Sequence, residues 1–283
     1  MKERILPLFL DEKKLSMNKE PQILLTNDDG ILSPGLWAAA EALDELGFVT
    51  VIAPREQASG TGRSYPSHAD GKMTAEKLVV NEKEWTVHAL GGTPAMAVLY
   101  GIFYLIEDKP DLIVSGINYG LNVGNGVTIS GTVGAALEGA AAGIPSMAIS
   151  LETDKEFHSS YSQEIDFQTA GYFTKYFSSR LLSNEMPPDV QVLKVEIPSD
   201  ATRETPWQTT RLSDKSFYTP TAPEDIATAG LIGIGYDLAP DYDQSPSGTD
   251  AHAVINQRAV SVTPLSLDLT SRVDLGKLQD ILK

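Results

Sequence analysis

Apolar residues along this chain follow two rhythms: short continuous runs, and runs that return every three or four positions. Ile23, Leu24 and Leu25 form the first short run, and Leu36, Ala40 and Leu43 then recur at helical spacing. Residues 48–53 (FVTVIA) read as a second strand. A polar Gly/Ser segment follows, then a hairpin with strands near residues 77–80 and 85–89. Ala95, Val98, Leu99, Ile102, Phe103 and Ile106 lie on one helical stripe and predict an amphipathic helix. Leu112, Ile113 and Val114 make a third buried-type strand. Val133, Ala136, Leu137 and Ala140 predict a helix, residues 146–151 a strand, Ala170, Phe173, Phe177 and Leu181 a helix, and residues 190–197 a strand.

Strands that alternate with helices predict βαβ units, and therefore an α/β fold with a parallel sheet covered by helices on both faces. Right-handed crossovers then bring every strand-to-helix loop to one edge of that sheet. After Pro198 the rhythm breaks. The chain becomes rich in Pro, Thr, Asp and Gly, with short strand candidates at WQTTRL and LIGIGY, a strand at RAVSVTP and a closing helix near residues 273–282. The expected organisation is an N-terminal extension over 1–20, a core over 21–198, and an arm over 199–283. That arm has no clear core of its own and is expected to pack on the core or on other subunits.

Composition narrows the function classes. The chain has 283 residues, 42% hydrophobic and 21% charged, the balance of an ordinary soluble globular protein. No apolar stretch approaches the roughly 20 residues that span a bilayer. The ILPLFL patch near the N-terminus is followed by charges and no small-residue cleavage site, so it does not read as a signal peptide; Met17 is an alternative first residue. Cysteine is absent, which removes disulfides, thiolate nucleophiles and cysteine-ligated zinc, and fits a cytoplasmic setting. A formal charge of −16 without Lys/Arg clusters argues against duplex nucleic acid or anionic membrane as partner. An anionic substrate would need a cation to offset the field locally.

Ligands of open α/β sheets bind beyond the carboxyl ends of the strands. Three loops meet there: Thr26-Asn27-Asp28-Asp29-Gly30 after the first strand, residues 54–64 (PREQASGTGRS) after the second, and residues 115–120 (SGINYG) running on through LNVGNGVTISGT after the third. Each sets oxygen-bearing side chains beside glycine, the donor chemistry that Mg²⁺ or Mn²⁺ prefers. Asp-Gly is also ordinary turn chemistry, so the acidic pair alone leaves a turn and a cation site both open. Three such loops on one edge favour the cation, which would offset the repulsion between Asp28 and Asp29. Ser130-Gly131-Thr132 sits where a helix should start; plain capping and a phosphate cradle of free N–H groups both fit it. Neither a P-loop nor GxGxxG is present, no GxSxG elbow appears, and His68, His88, His158 and His252 lack paired metal spacing. His252 fits a hydrogen-bonded structural role better than catalysis. Arg55 and Arg63 are open between solvent and a phosphate.

The segments ILLTNDDGILSPG, APREQASGTGRS, GGTPA, VSGINYGLNVG with SGTVGAALEG, GTDAHAV and VSVTPLSLDLT, in that order, resemble the SurE family of metal-dependent survival-protein phosphatases. The resemblance runs from about residue 22 to about residue 270. It implies a three-layer α/β/α, Rossmann-like, mostly parallel sheet with a C-terminal β-rich oligomerisation arm, and a homodimer or homotetramer that exchanges C-terminal segments. It implies a phosphatase of nucleoside monophosphates, acting on 5′- and often 3′-nucleotides and in some members on polyphosphate. One divalent cation per subunit, Mg²⁺ or Mn²⁺, would be held at the positions matching the family's ligands: Asp28, Asp29, Ser59 and Asn118. The chain departs from the family's pattern at Glu56-Gln57-Ala58 and at residues 125–130, which bears on phosphate affinity and base preference.

The expected reaction is hydrolysis of a phosphomonoester at the sheet edge, with Asp28 and Asp29 catalytic and Gly60, Asn122, Ser130, Gly131 and Thr132 binding phosphate. The attacking group is either an activated water or an aspartate carboxylate, and the sequence leaves both open. Two rival readings are a receiver-type Mg²⁺ signalling module, which would want an aspartate where this chain has Asn118, and a nucleotide-binding protein without catalysis.

Overall fold

The computed structural model describes residues 20–158, 160–222 and 235–283. The ILPLFL patch, Met17 and the first four residues of LIGIGY lie outside them. Strands β1 (Gln22–Thr26), β2 (Phe48–Pro54), β3 (Met73–Val80), β4 (Lys83–Leu90), β5 (Leu112–Tyr119), β6 (Ser146–Leu151), β7 (Val192–Ile197), β8 (Trp207–Thr209) and β11 (Val260–Leu265) form one sheet in the order β3-β4-β2-β1-β5-β6-β7-β11-β8. The run from β4 to β7 is parallel throughout. At the rims β3 is antiparallel to β4 and β11 to β7. Strands β9 (Tyr218–Thr221) and β10 (Gly235–Leu238) pair separately as an antiparallel hairpin.

Side-chain alternation builds the three layers. On β1, Ile23 and Leu25 join a core with helices α1 (Pro34–Asp44) and α4 (Gln168–Ser183), while Leu24 between them faces α2 (Pro94–Tyr100) and α3 (Gly131–Ala141). The central strands are buried on both faces, so they read as continuous apolar runs rather than alternating ones. The expected α/β/α architecture with a mostly parallel sheet is what forms. Strand order reverses at β1, flanked by β2 on one side and β5 on the other, and a crevice opens at such a reversal.

Three elements differ from the sequence expectation. The helix predicted from Ala95 to Ile106 stays α-helical only to Tyr100 and loosens into a wider turn over Gly101–Leu105. There it approaches β1 closely: a Cβ on Gly101 would meet Leu24 at 2.5 Å. Strand β5 does not stop at Val114 but runs to Tyr119, so Ser115 and Asn118 are strand residues pairing with β6 across a register shift. Glycine at 116 permits this, because a Cβ there would lie 2.2 Å from the Ile149 carbonyl oxygen. The third difference is a helical turn over residues 250–256 that no apolar rhythm announced.

Beyond Pro198, β8 and β11 extend the main sheet, and Val260 and Val262 enter the α1/α4 core. The hairpin β9–β10 stands outside that sheet, and nearby Phe217, Ala251 and Val254 pack with Leu121 and Val123 in a small separate cluster. The last helix, α5 (Leu275–Ile281), has no buried residue. Among the described residues no helix is long and apolar enough to cross a membrane.

Candidate active site

The loop after β1 is tied by its own asparagine. Asn27 Nδ2 donates to the Gly30 carbonyl oxygen and Asn27 Oδ1 accepts from the Gly30 N–H, each at 3.2 Å. This short circuit closes a tight turn and turns Asp28 and Asp29 toward the sheet edge. Gly30 has φ +102°, a conformation that β-carbons resist. The loop after β2 is pinned onto this turn, with the Ala58 N–H donating to the Asp28 carbonyl oxygen at 2.7 Å. From the other side the Tyr119 N–H, at the end of β5, donates to Asp29 Oδ2 at 3.3 Å.

Helix α3 points its N-terminus at Asp28. Ser130 caps the helix through Oγ, which accepts from the Val133 N–H at 3.1 Å. One residue into the helix, a Cβ on Gly131 would lie 2.8 Å from both Cβ and Oδ2 of Asp28. Thr132 Oγ1 donates to Asp28 Oδ1 at 2.6 Å. The positive end of the helix dipole therefore rests on this carboxylate.

Electrostatically the pair is under strain. Asp28 is 4% exposed and Asp29 2%, and burial raises both carboxyls above the ordinary 3.8. Asp28 is pulled partly back by the Thr132 hydroxyl and the backbone around Gly131 and Thr132. Asp29 stays well above the usual range, because burial and the neighbouring Asp28 charge outweigh its bonds from Tyr119 and Gln57. Among the described residues neither acid has a Lys, Arg or His ion-pair partner. Two adjacent buried carboxyls without a neighbouring Lys, Arg or His are costly, and a hard divalent ion is the kind of counter-charge they suit.

The remaining donors suit such an ion. Asn118 Nδ2 is committed to the Tyr119 and Gly120 carbonyl oxygens at 3.1 and 2.7 Å, which leaves Oδ1 as its available atom. Ser59 is exposed on the neighbouring loop. Among the described residues no three His, Cys, Asp or Glu side chains cluster as a metal cage. Two carboxylates with hydroxyl and amide oxygens match a hard Mg²⁺-type ion rather than zinc.

A cavity of about 620 Å³ opens over this edge, lined by Asp28, Ser59, Gly60, Asn118, Asn122 and Ser130 among others. Six of the residues expected at the site are thus brought together on one wall. Asp29, Gly131 and Thr132 lie behind that wall: Asp29 against β5, Gly131 against Asp28, and Thr132 fully buried with its hydroxyl given to Asp28. Arg55 and Arg63, left open by the sequence, are taken up elsewhere. Arg63 Nε meets Glu138 Oε2 at 2.5 Å on α3, and Arg55 lies 3.6 Å from Asp70. His252 Nδ1 sits 3.1 Å from the Ser245 carbonyl oxygen, a structural contact.

Sequence reasoning missed an aromatic part of the lining, built by His158, Tyr218 and Tyr236. The His158 and Tyr236 rings stack with centroids 6.0 Å apart, and Tyr218 meets His158 edge-on at 6.1 Å. No periodicity marks these residues, because Tyr218 and Tyr236 sit on the short strands β9 and β10 and His158 in the turn that follows β6. Also missed was a buried charged cluster of Lys194, Glu196 and Asp250. It had a signal: Lys and Glu at alternate positions of an otherwise apolar strand, VLKVEI.

A sequence model of the family described as "Survival protein SurE" matches residues 23–219. The 5'-nucleotidase SurE of Thermococcus gammatolerans is 40% identical over 263 residues, covering 92% of this chain and 96% of that protein. That of Methanothrix thermoacetophila is 39% identical over 268 residues, covering 93% and 98%. Among solved structures, the Sure protein from Aquifex aeolicus superimposes with a TM-score of 0.70 at 32% identity, over 93% of this chain and 100% of that one.

Proposed function

The chain belongs to the SurE family of survival proteins, and on that premise we propose that its sheet-edge cavity hydrolyses nucleoside monophosphates to nucleoside and phosphate. The chain is a 5'-nucleotidase. The observation that carries the reading is the pair of buried carboxyls, without a Lys, Arg or His partner among the described residues, beside the N-terminus of α3. Asp28, Asp29, Ser59 and Asn118 would hold one Mg²⁺ or Mn²⁺ ion. When bound, the ion supplies Lewis-acid polarisation of the phosphoryl oxygens and neutralises charge that develops on them.

The chain's own groups do the rest. Gly60, Asn122 and Ser130 line the cavity and would orient the non-bridging oxygens, while Gly131 and Thr132, at the start of α3, act from behind them by holding Asp28. Thr132 keeps Asp28 turned to the cavity. One of the two aspartates, Asp28 or Asp29, accepts the proton. The aromatic lining of His158, Tyr218 and Tyr236 offers flat faces in the same cavity as Asp28, which suits a nucleobase attached to the reacting phosphate. The same chemistry extends to 3'-nucleotides and short polyphosphate.

Phosphate release from AMP, with and without chelator, tests the reading. Wild type should need a divalent ion, prefer AMP over ribose 5-phosphate, and lose at least about a hundredfold in kcat on Asp28→Asn. Undiminished turnover in that variant would remove Asp28 from the site.

A further inference from the structure

Beneath the glycine-rich loop runs a stripe of buried polar side chains, none of which lines the cavity. Lys194 and Glu196 alternate on β7 and face α3, and Asp250 reaches the same point from the helical turn near the C-terminus; all three are fully buried. Lys194 Nζ lies 3.3 Å from Glu196 Oε1 and 3.0 Å from Asp250 Oδ2. A buried ion cluster is a poor source of stability, because desolvation offsets the attraction and an apolar replacement often does as well. Its contacts show what else it does.

Each carboxylate holds one backbone amide of the loop. Glu196 Oε2 accepts from the Asn122 N–H at 2.9 Å, and Asp250 Oδ2 from the Gly124 N–H at 2.9 Å. Asp250 Oδ1 accepts in addition from the Ser213 and Ala251 N–H groups, tying the loop to the C-terminal part of the chain. From Asn122 the path continues to the acids: its Nδ2 donates to Ser150 Oγ at 3.1 Å and to Thr132 Oγ1 at 3.4 Å, and Thr132 donates to Asp28 at 2.6 Å. Gly124 has φ +58°, and a Cβ there would lie 2.5 Å from the Lys215 carbonyl oxygen, so the loop has little room to settle elsewhere.

We propose that Lys194 is a positioning residue for phosphoryl transfer: by bridging Glu196 and Asp250 it fixes the glycine-rich loop at Asn122 and Gly124 and, through Asn122 and Thr132, the orientation of Asp28. This rests on the reading of Asp28 as part of the reaction centre. The ammonium sets the separation of two carboxylates that arrive from distant parts of the chain. Without it, the two would repel and the loop amides would move with them.

The test uses the full chain and reads both turnover and amide hydrogen exchange. Lys194→Met should lower kcat on AMP by about 10- to 100-fold. It should also speed exchange at Asn122 and Gly124, with the β1 and β5 amides protected as in wild type. Glu196→Ala, which removes the Asn122 acceptor and leaves Lys194 paired with Asp250, should show the same loss at Asn122 and serves if Lys194→Met does not fold. Glu196→Gln still accepts from Asn122 and should recover kcat and protection relative to Glu196→Ala. Wild-type kcat and wild-type protection at Asn122 in folded Lys194→Met or Glu196→Ala overturn the proposal. So does protection lost evenly across β1, β5 and the loop with kcat per folded molecule unchanged. Asp28→Asn separates the two readings: if it stays fully active the site reading fails, and if it is inactive while Lys194→Met is wild-type only the positioning role fails.

Discussion

Asp29 concentrates the conflict between stability and function in one side chain. Its native carboxyl titrates well above the unfolded value of about 3.8, so the folded metal-free protein binds a proton that the unfolded chain has already released. Stability then falls as pH rises from the ordinary carboxylate range through the raised native one; Asp28 adds to the effect in the same direction. In chelator, the melting temperature should therefore decline across that window, and Asp29→Asn should flatten the decline and melt higher than wild type above it. Adding Mn²⁺ should stabilise wild type most at the high-pH end and Asp29→Asn hardly at all. Thermal melts from pH 4 to 8, with and without the ion, read all of this. A wild-type melting temperature that climbs with pH in chelator would contradict the assignment. Asn27 and Thr132 show the same division of labour without charge: one shapes the turn, the other aims Asp28.

Among the elements, helix α3 does most to make the edge a site. Its first turn must come within contact of the β1 loop, and glycine is what allows it. Gly131 faces Asp28, and a Cβ on Gly134 would lie 2.4 Å from the Gly62 backbone on the loop after β2. Glu138, one turn further, holds Arg63 of that same loop. Gly131→Ala should push the helix off Asp28 and lower kcat on AMP by about a hundredfold, the scale expected for a displacement near 1 Å. The overall fold should survive, as circular dichroism would report. Unchanged kcat would mean that the helix end tolerates displacement. The extension of β5 to Tyr119 matters equally, because it places Asn118 and the Tyr119 N–H on a rigid strand rather than a loop.

At the scale of the whole molecule, the C-terminal end stands out for its exposed apolar side chains. Leu269, Ile281 and Leu282 are 90%, 79% and 76% exposed, and Val273, Leu275 and Leu278 add to an apolar strip on a chain of net charge −16. Exposed apolar surface of this kind marks an interface, and we propose that it joins copies of this chain into a dimer or tetramer. Removing residues 269–283 should lower the mass seen by light scattering while the melting temperature of the remaining core moves by only a few degrees, since α5 buries nothing. An unchanged mass would place the interface elsewhere. The sequence by itself determined the layered α/β plan, because apolar rhythm is a local property and each strand and helix carries its own. It also determined that three oxygen-rich loops share an edge, because crossover handedness is general. Tertiary structure alone decided which of those residues face the cavity and which stand behind it. It decided too that Tyr218, Tyr236 and His158 join the same cavity, and that Lys194 meets Asp250 from 56 positions away. Such pairings follow from packing between segments with no shared rhythm, and a rhythm along the chain carries no record of them.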